Sequence, residues 1–466
     1  MNYYDTLVLG GGISGLVTAY KLNRAGNNVL LVEKNLNCGG SIESFNVEGN
    51  IYEYGAHSII HVSSAINSLI EELNIEDSVL IAGENSYKKF ILKDNSLYYV
   101  FLHPDSILNS PIFSFKTKLK FFVEKFLPRS KDDYSITVES YIKKRLGNEF
   151  LRYFMEPAAS EVYAGDVSRL SIKAAYPKIY ALEKEYGSLV TGMKESLKKI
   201  NSGELKPSGS GKLISFKDGM SFLTKTLVRK LDGKIQNLSE VIDISKTQNG
   251  YCVTVNNAGE TKVFYAKSVI STIQAYKLAE VNSFLPAGLV KTLNGINYAS
   301  IVAVNLSFKK NDVRRLLEGY GILTIAAEKK PFRTVIYSSE LFPDKYNPGT
   351  TVFTIYSGGI NNPEILELDE EEIFESFILE LKNIMGIKGD PLFKGIRKMK
   401  RALPQYETGY GEMDKSIINF ENLNPGFYIA GNFRGGISTG DSIKNATESA
   451  IKIDKYLKDL KFNESN

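Results

Sequence analysis

A chain of 466 residues exceeds what one hydrophobic core fills, so two or three domains are expected. Its 43% apolar and 24% charged residues are ordinary for a globular protein, and a formal charge of +4 is too small to argue for nucleic acid. Three histidines and no tryptophan argue against a histidine-rich metal site, and Cys38 and Cys252, far apart with no CxxC pair, read as two reduced thiols.

Residues 4–9 read as a buried strand at once, which leaves no room for a targeting segment. No run approaches the ~18 apolar residues of a membrane-spanning helix, so a cytoplasmic location is expected. The strand meets Gly10-Gly11-Gly12-Ile13-Ser14-Gly15, a G-x-G-x-x-G turn. A helix follows with Ile13, Leu16, Val17 and Tyr20 on its buried face, and a second strand, 29–32, ends on Glu33. In such a unit Gly10 permits the tight turn, Gly12 lets backbone approach a pyrophosphate, and Gly15 lets helix and strand pack closely. The helix start offers free N–H groups to phosphate, and Glu33 is placed for ribose hydroxyls. Taken alone, this unit serves NAD as well as FAD.

Further along, 65–73 has helical spacing, and 101–200 carries helices rich in aromatics and lysines. Residues 201–212 form a polar loop, and a short helix begins near Met220. Strands are expected at 251–256, 262–265, 268–272, 301–308, 321–326, 334–338 and 351–357. The stretch 369–385 is a helix whose acidic first turn, Asp369 to Glu372, suits the macrodipole and faces solvent. A strand at 426–430, a glycine turn and a helix over 439–457 close the chain.

Three features favour FAD. A second glycine turn, Gly39-Gly40-Ser41, follows Glu33 closely enough to touch the same cofactor. Ala430-Gly431-Asn432 leads through Gly435 and Gly436 to Ile437, Ser438 and Thr439 at a helix start, which aims N–H donors at an anionic acceptor such as a reduced flavin. No second G-x-G-x-x-G exists for a nicotinamide, so oxygen or a quinone is the expected electron acceptor.

With these residues in view, the chain resembles the protoporphyrinogen and coproporphyrinogen oxidases of the amine-oxidase-like FAD superfamily. The resemblance runs nearly end to end. Beyond the glycine turns it rests on Glu53-Tyr54-Gly55, Tyr163-Ala164-Gly165-Asp166, the LEKEYGSL stretch at 182–189, the motif SFKDGM at 215–220, Leu403-Pro404-Gln405-Tyr406, and Gly440-Asp441-Ser442. The YAGD and LPQY stretches are its most specific parts, since dinucleotide binding explains neither.

The resemblance implies an α/β (α+β overall) architecture in three parts. A Rossmann-type FAD-binding domain is assembled from 1–85, 211–285 and 420–466. A mainly helical, membrane-facing domain spans 86–210, and a sheet-containing substrate domain spans 286–419. It implies oxidation of a porphyrinogen by hydride transfer from a methylene bridge to flavin N5, with no dedicated catalytic side chain. Cofactor contacts are implied at Gly10 to Gly15, Glu33, Lys34, Gly39, Gly40, Ser41, Gly55, Ala56, His57 and Ser58. The others are Val241, Gly431, Asn432, Ile437, Ser438 and Thr439. Substrate contacts are implied at Lys89, Tyr320, Leu323 and Tyr356. The expected partners are a porphyrinogen, oxygen or quinone, a peripheral membrane surface and a second copy in a homodimer.

Several residues depart from the family pattern. Glu161 stands where relatives commonly have glycine, so it either pairs with a lysine or faces solvent, or else contacts pyrrole nitrogens or selects an altered substrate. Ser41 replaces a common arginine, Met399 a common tryptophan, and Lys89 an arginine, which keeps charge but loses the bidentate fork. These departures leave open an oxidase of another amine or hydrophobic substrate, or a non-catalytic FAD-binding partner. His57 and His61 would share a face only on a helix, and a zinc site lacks a third ligand. The stretch 113–131 interleaves phenylalanines and lysines, which suits an anionic membrane surface as well as an ordinary packed helix.

Overall fold

The computed structural model describes residues 3–60, 63–100, 104–131, 133–202, 212–281 and 284–465; most of the expected loop at 201–212, and His61, lie outside them. Strand Tyr3–Leu9 is buried on both faces from Thr6 onward. Its side chains alternate between two cores: Val8 packs with Leu16, Val17 and Ile443, whereas Leu7 and Leu9 join Met413, Ile417 and Phe420. The strand pairs in parallel with Val29–Val32 on one side and Glu260–Ser271 on the other, and Phe427–Ile429 extends the sheet beyond. Helix Ile13–Arg24 and the closing helix Thr439–Ser465 cover the first face together.

The closing helix runs past the expected end at Leu457. Glu260–Ser271 is one strand where two were expected, because no breaker separates the halves. Its first half pairs antiparallel with Gly250–Asn257, and its second half pairs parallel with Tyr3–Leu9.

The second sheet runs in the order Phe393–Pro404, Tyr298–Lys309, Thr350–Gly358, Thr334–Tyr337, Gly321–Thr324, Lys89–Lys93 and Ser96–Val100. The last two form a hairpin through Asp94 and Asn95, both at positive φ as a type I′ turn requires. Lys89–Lys93 then pairs in parallel with Gly321–Thr324. This sheet therefore draws a hairpin from the segment expected to be helical. Helix Glu370–Met385 packs Ile373, Phe377 and Leu381 on Val302, Val304 and Phe353. Its Asp369 closes a capping box with Glu372.

Glu53 joins the two sheets. It is fully buried, and its carboxylate accepts from Lys345 Nζ at 2.6 Å, Ser44 Oγ at 2.5 Å and the Met220 amide at 2.9 Å. Lys345, equally buried, follows the second sheet's strand Thr334–Tyr337.

The helical segment is organised around charge as well as apolar packing. Arg145 is fully buried between Glu124 and Glu183 and also donates to the Pro128 carbonyl at 2.9 Å. Ser188 donates to Glu124, and the Leu189 amide reaches the same carboxylate at 3.1 Å. The LEKEYGSL stretch thus supplies Glu183, Ser188 and Leu189 to one buried network. Removing a single member strands an uncompensated charge, which typically costs 3–5 kcal/mol. Arg145→Met should therefore destabilise the protein by about 3–5 kcal/mol in urea unfolding, far more than loss of an exposed pair such as Lys277–Glu280, worth at most about 1 kcal/mol.

Candidate functional site

A cleft of about 430 Å³ opens at the carboxyl ends of strands Tyr3–Leu9 and Val29–Val32. The glycine turn forms its floor, with Gly10, Gly11, Gly12, Ile13 and Ser14 all lining it. Gly10 has φ +102°, and a Cβ on Gly15 would lie 1.9 Å from the Gly10 carbonyl oxygen, so only glycine permits this approach of helix and strand. Gly15 therefore acts by packing and does not itself line the cleft. The second glycine turn lies directly against the first, through a bridge from Gly12 to Gly39 and a 2.8 Å bond from the Gly39 amide to the Gly11 carbonyl. Gly39, Gly40 and Ser41 all line the same cleft.

Glu33 shapes the turn while facing the cleft. Its Oε2 accepts from the Gly11 amide at 2.6 Å, and Oε1 accepts from the Asn35 amide and side chain at 2.8 and 2.7 Å. Lys34 and Val241 also line the cleft; Val241 sits at a β-bulge, where the pairing register shifts before Asp243. Neighbouring Cys38 is held unreactive, its thiol pushed up to about 12 by burial and then by the Glu33 charge.

From the far end of the chain come Asn432, Ile437 and Thr439. Ser438 instead caps the closing helix, donating to Asp441 Oδ2 at 2.6 Å and accepting from the Asp441 amide at 3.0 Å. Gly431, at φ +137°, turns the backbone beside Phe433. Gly55, Ala56, His57 and Ser58 are not among the lining residues, though Gly55 abuts one of them. A Cβ on Gly55 would lie 1.7 Å from the carbonyl oxygen of Ser41, and Ala56 packs on the first core. His57 lies outside any helix. Burial, and secondarily Lys345, lower its pKa to about 3 and keep the ring neutral.

The residues expected to meet substrate lie outside the cleft lining. Three of them converge: Lys89 Nζ bonds both Glu161 oxygens at 2.6 and 2.5 Å and sits 4.7 Å from the Tyr320 ring centre. Glu161 thus pairs with a lysine, and that lysine is the one expected to meet a substrate anion. Tyr356 packs in one apolar cluster with Tyr320, and its hydroxyl donates to the Gly55 carbonyl at 2.8 Å. Leu323 is separate from these, buried in the core beneath the helical segment.

YAGD and LPQY meet each other. Gln405 Nε2 donates to the Tyr163 carbonyl at 2.8 Å, and a Cβ on Gly165 would strike Gln405 Oε1 at 2.5 Å. Ala164 takes a left-handed φ of +47°, and Asp166 accepts from the Ser168 amide at 2.8 Å to close the turn. The Tyr406 hydroxyl donates to the Asn432 carbonyl at 2.9 Å and accepts from the Gly436 amide at 2.8 Å. These motifs clamp the helical segment and second sheet onto the C-terminal glycine turn. Their positions were visible in the sequence, but their partners were not. Lys345 carried no sequence signal at all.

The chain matches the model of the family described as flavin containing amine oxidoreductase over residues 13–452. It is 29% identical to protoporphyrinogen oxidase 2, chloroplastic/mitochondrial, of Arabidopsis thaliana, over 97% of this chain and 94% of that one. It is 24% identical to coproporphyrinogen III oxidase of Bacillus subtilis (strain 168), over 97% and 98%. Its fold is that of a protein from Exiguobacterium sp. 255-15 assigned as a protoporphyrinogen oxidase, with a TM-score of 0.81 at 21% identity over 97% of this chain and 98% of that one. The cleft fits the cofactor these matches imply, with two abutting glycine turns, a helix start, the Glu33 carboxylate in its lining and a second helix start at Thr439. FAD is the cofactor.

Gly15→Ala should abolish its retention, read as loss of flavin absorbance in the purified protein while far-UV circular dichroism is kept. The glycine cleft and the full-length match together place this chain in the flavin-containing amine oxidoreductase family, as an FAD-dependent oxidoreductase.

Proposed function

We propose that the protein oxidises a porphyrinogen, protoporphyrinogen IX or coproporphyrinogen III, to the porphyrin in haem biosynthesis. The observation that carries this reading is the near full-length similarity to oxidases of both substrates, covering the YAGD–LPQY junction as well as the FAD cleft. Six electrons leave the macrocycle in three rounds, each round passing two to oxygen or a quinone. Bound FAD would supply a hydride acceptor at N5; three methylene bridges give up hydrides as pyrrole N–H groups release protons, and transfer of a proton from the fourth bridge to a ring nitrogen completes the porphyrin. Conjugation in the product assists every round, so the chain's own task is to bind, orient and exclude water. In this reading residues 1–85, 211–285 and 420–466 hold FAD, 286–419 hold substrate, and 86–210 face a membrane.

The tyrosine pair Tyr320 and Tyr356 offers aromatic surface to a flat ring. Lys89 is already neutralised by Glu161, so a carboxylate arriving there would have to compete with an ion pair. That pair also supports a second reading, an oxidase of another amine or hydrophobic substrate. Anaerobic mixing separates the two. Protoporphyrinogen or coproporphyrinogen should bleach the flavin absorbance and yield porphyrin fluorescence; full retention of oxidised flavin with both would leave the second reading.

A cytoplasmic protein with peripheral membrane contact is part of this proposal, and a homodimer is consistent with it. Among the described residues no helix is long and apolar enough to cross a membrane. Helix Phe115–Val123 and the turn after it instead expose Phe115, Leu119, Phe122 and Phe126, by 79%, 53%, 57% and 76%. Lysines 116, 118, 120 and 125 interleave with them, a combination suited to apolar insertion beside anionic headgroups. Charge reversal at Lys116, Lys118 and Lys120 should reduce co-sedimentation with anionic liposomes at least tenfold. Equal sedimentation of variant and parent would show that this face is not the anchor.

A further inference from the structure

A second cavity, of about 240 Å³, lies where the helical segment meets the second sheet. Helix Glu156–Tyr163 and the YAGD turn after it form one wall, and the sheet around Thr324, Arg333 and Gly358 forms the other. No residue of this lining belongs to the FAD cleft, and Lys89, Glu161, Tyr320, Leu323 and Tyr356 take no part in it. Glu156, Ser160 and Arg333 are half-buried and Asn361 is exposed, so the cavity is open to solvent.

Four charged residues line this space, and two of them are satisfied within the fold. Glu139 pairs with Lys143, and Asp166 accepts from the Ser168 amide at 2.8 Å. Glu156 and Arg333 are not satisfied. Among the described residues neither side chain has an ion pair or a hydrogen bond, and Arg333 Nη1 is buried without a partner. Opposite in sign and lining one cavity, they still stay too far apart to pair. Burial pushes the Glu156 carboxyl up, with Glu139 and Asp166 adding to the effect, and burial pulls the Arg333 guanidinium down. Arg152 and Lys143 temper the first shift and Glu364 the second, but none of them bonds.

The signs of these charges limit what can bind. A simple anion at Arg333 would share the cavity with three carboxylates. A simple cation at Glu156 would share it with the guanidinium. A ligand carrying both charges satisfies both groups, and buried polar atoms in folded proteins nearly always have partners.

We infer that this cavity binds a small zwitterion, a molecule with one carboxylate and one ammonium, placed on Arg333 and Glu156 respectively. The guanidinium suits its task because its planar fork takes a carboxylate through two parallel bonds. Ser160 and Ser168 add hydroxyl lining. The occupant spans from the helical segment to the sheet, against the turn whose Gly165 abuts Gln405. The inference does not depend on which substrate the flavin oxidises.

Calorimetric titration of the FAD-loaded full chain with a ladder of ω-amino acids tests this: glycine, β-alanine, 4-aminobutyrate and 6-aminohexanoate. One length should bind saturably and more tightly than the others, because its charges match the spacing of Glu156 and Arg333. Its N-acetyl derivative and its methyl ester each lack one charge, and each should bind roughly tenfold more weakly or worse. These comparisons use the unaltered protein, so they stand whether or not a variant folds. Glu156→Gln and Arg333→Gln should each weaken the best ligand by a similar factor, with the flavin absorbance unchanged. Absence of saturable heat from every member overturns the inference, as does binding that neither variant weakens. Weakening by only one of the two charge blocks would mean a simple ion site, and would overturn it as well.

Discussion

The structure depends on one buried carboxylate. Glu53 sits at the end of strand Asn50–Glu53 and gathers donors from its neighbouring-strand partner Ser44 and from two distant stretches, around Met220 and Lys345. A charge so deep is tolerable only when opposite charge and hydrogen bonds surround it, and here a buried ammonium and two further donors do so. Because Lys345 lies in the connection between two strands of the second sheet, the same cluster fixes how that sheet meets the FAD-binding fold. The backbone carbonyl of Glu53 carries the arrangement onward through Asn305, Thr354 and Ser338 to His57. Hence one residue orients both the border of the cofactor cleft and the face proposed to receive substrate.

A second polar junction works from the other side. Gln405 and Tyr406 end the edge of the second sheet and reach in opposite directions, to the YAGD turn and to the glycine turn that closes the cleft. Each letter of YAGD has a separate physical duty. Tyr163 anchors through its hydroxyl to the Ala175 carbonyl at 2.8 Å, Ala164 adopts the left-handed bend, Gly165 admits Gln405, and Asp166 closes the turn. The motif thus joins the helical segment, the edge of the second sheet and the C-terminal glycine turn.

What the sequence revealed and what it hid follow the range of the interactions. The βαβ unit was legible because turn, helix face and second strand are encoded within about thirty residues, where periodicity and glycine chemistry act locally. Most of the expected FAD contacts fall in or beside the cleft for the same reason. The hairpin Lys89–Val100 was hidden inside the part, 86–210, expected to be mainly helical, and helix Tyr410–Leu423 follows a glycine N-cap and carries a weak apolar face. Pairings between remote residues left no trace. Glu53 and Lys345 are separated by 292 positions, and Lys89 and Glu161 by 72, so neither ion pair could be read before folding. Glu161 was conspicuous as a departure, yet only the fold shows that its partner is the expected substrate cation.

The order in which the cleft is built has a consequence for synthesis. Its floor comes from residues near 10, one wall from residues near 241, and its closing end from 432–439. Helix Ile13–Arg24 shares its core with Ile443, Ala446 and Ile453, so during translation that apolar face waits for the last stretch of the cleft to emerge. A growing chain can form the early strands, but it cannot close around a dinucleotide until the region near residue 450 has left the ribosome. Cofactor capture therefore waits for the region near residue 450, and until it emerges the nascent chain carries this apolar face uncovered.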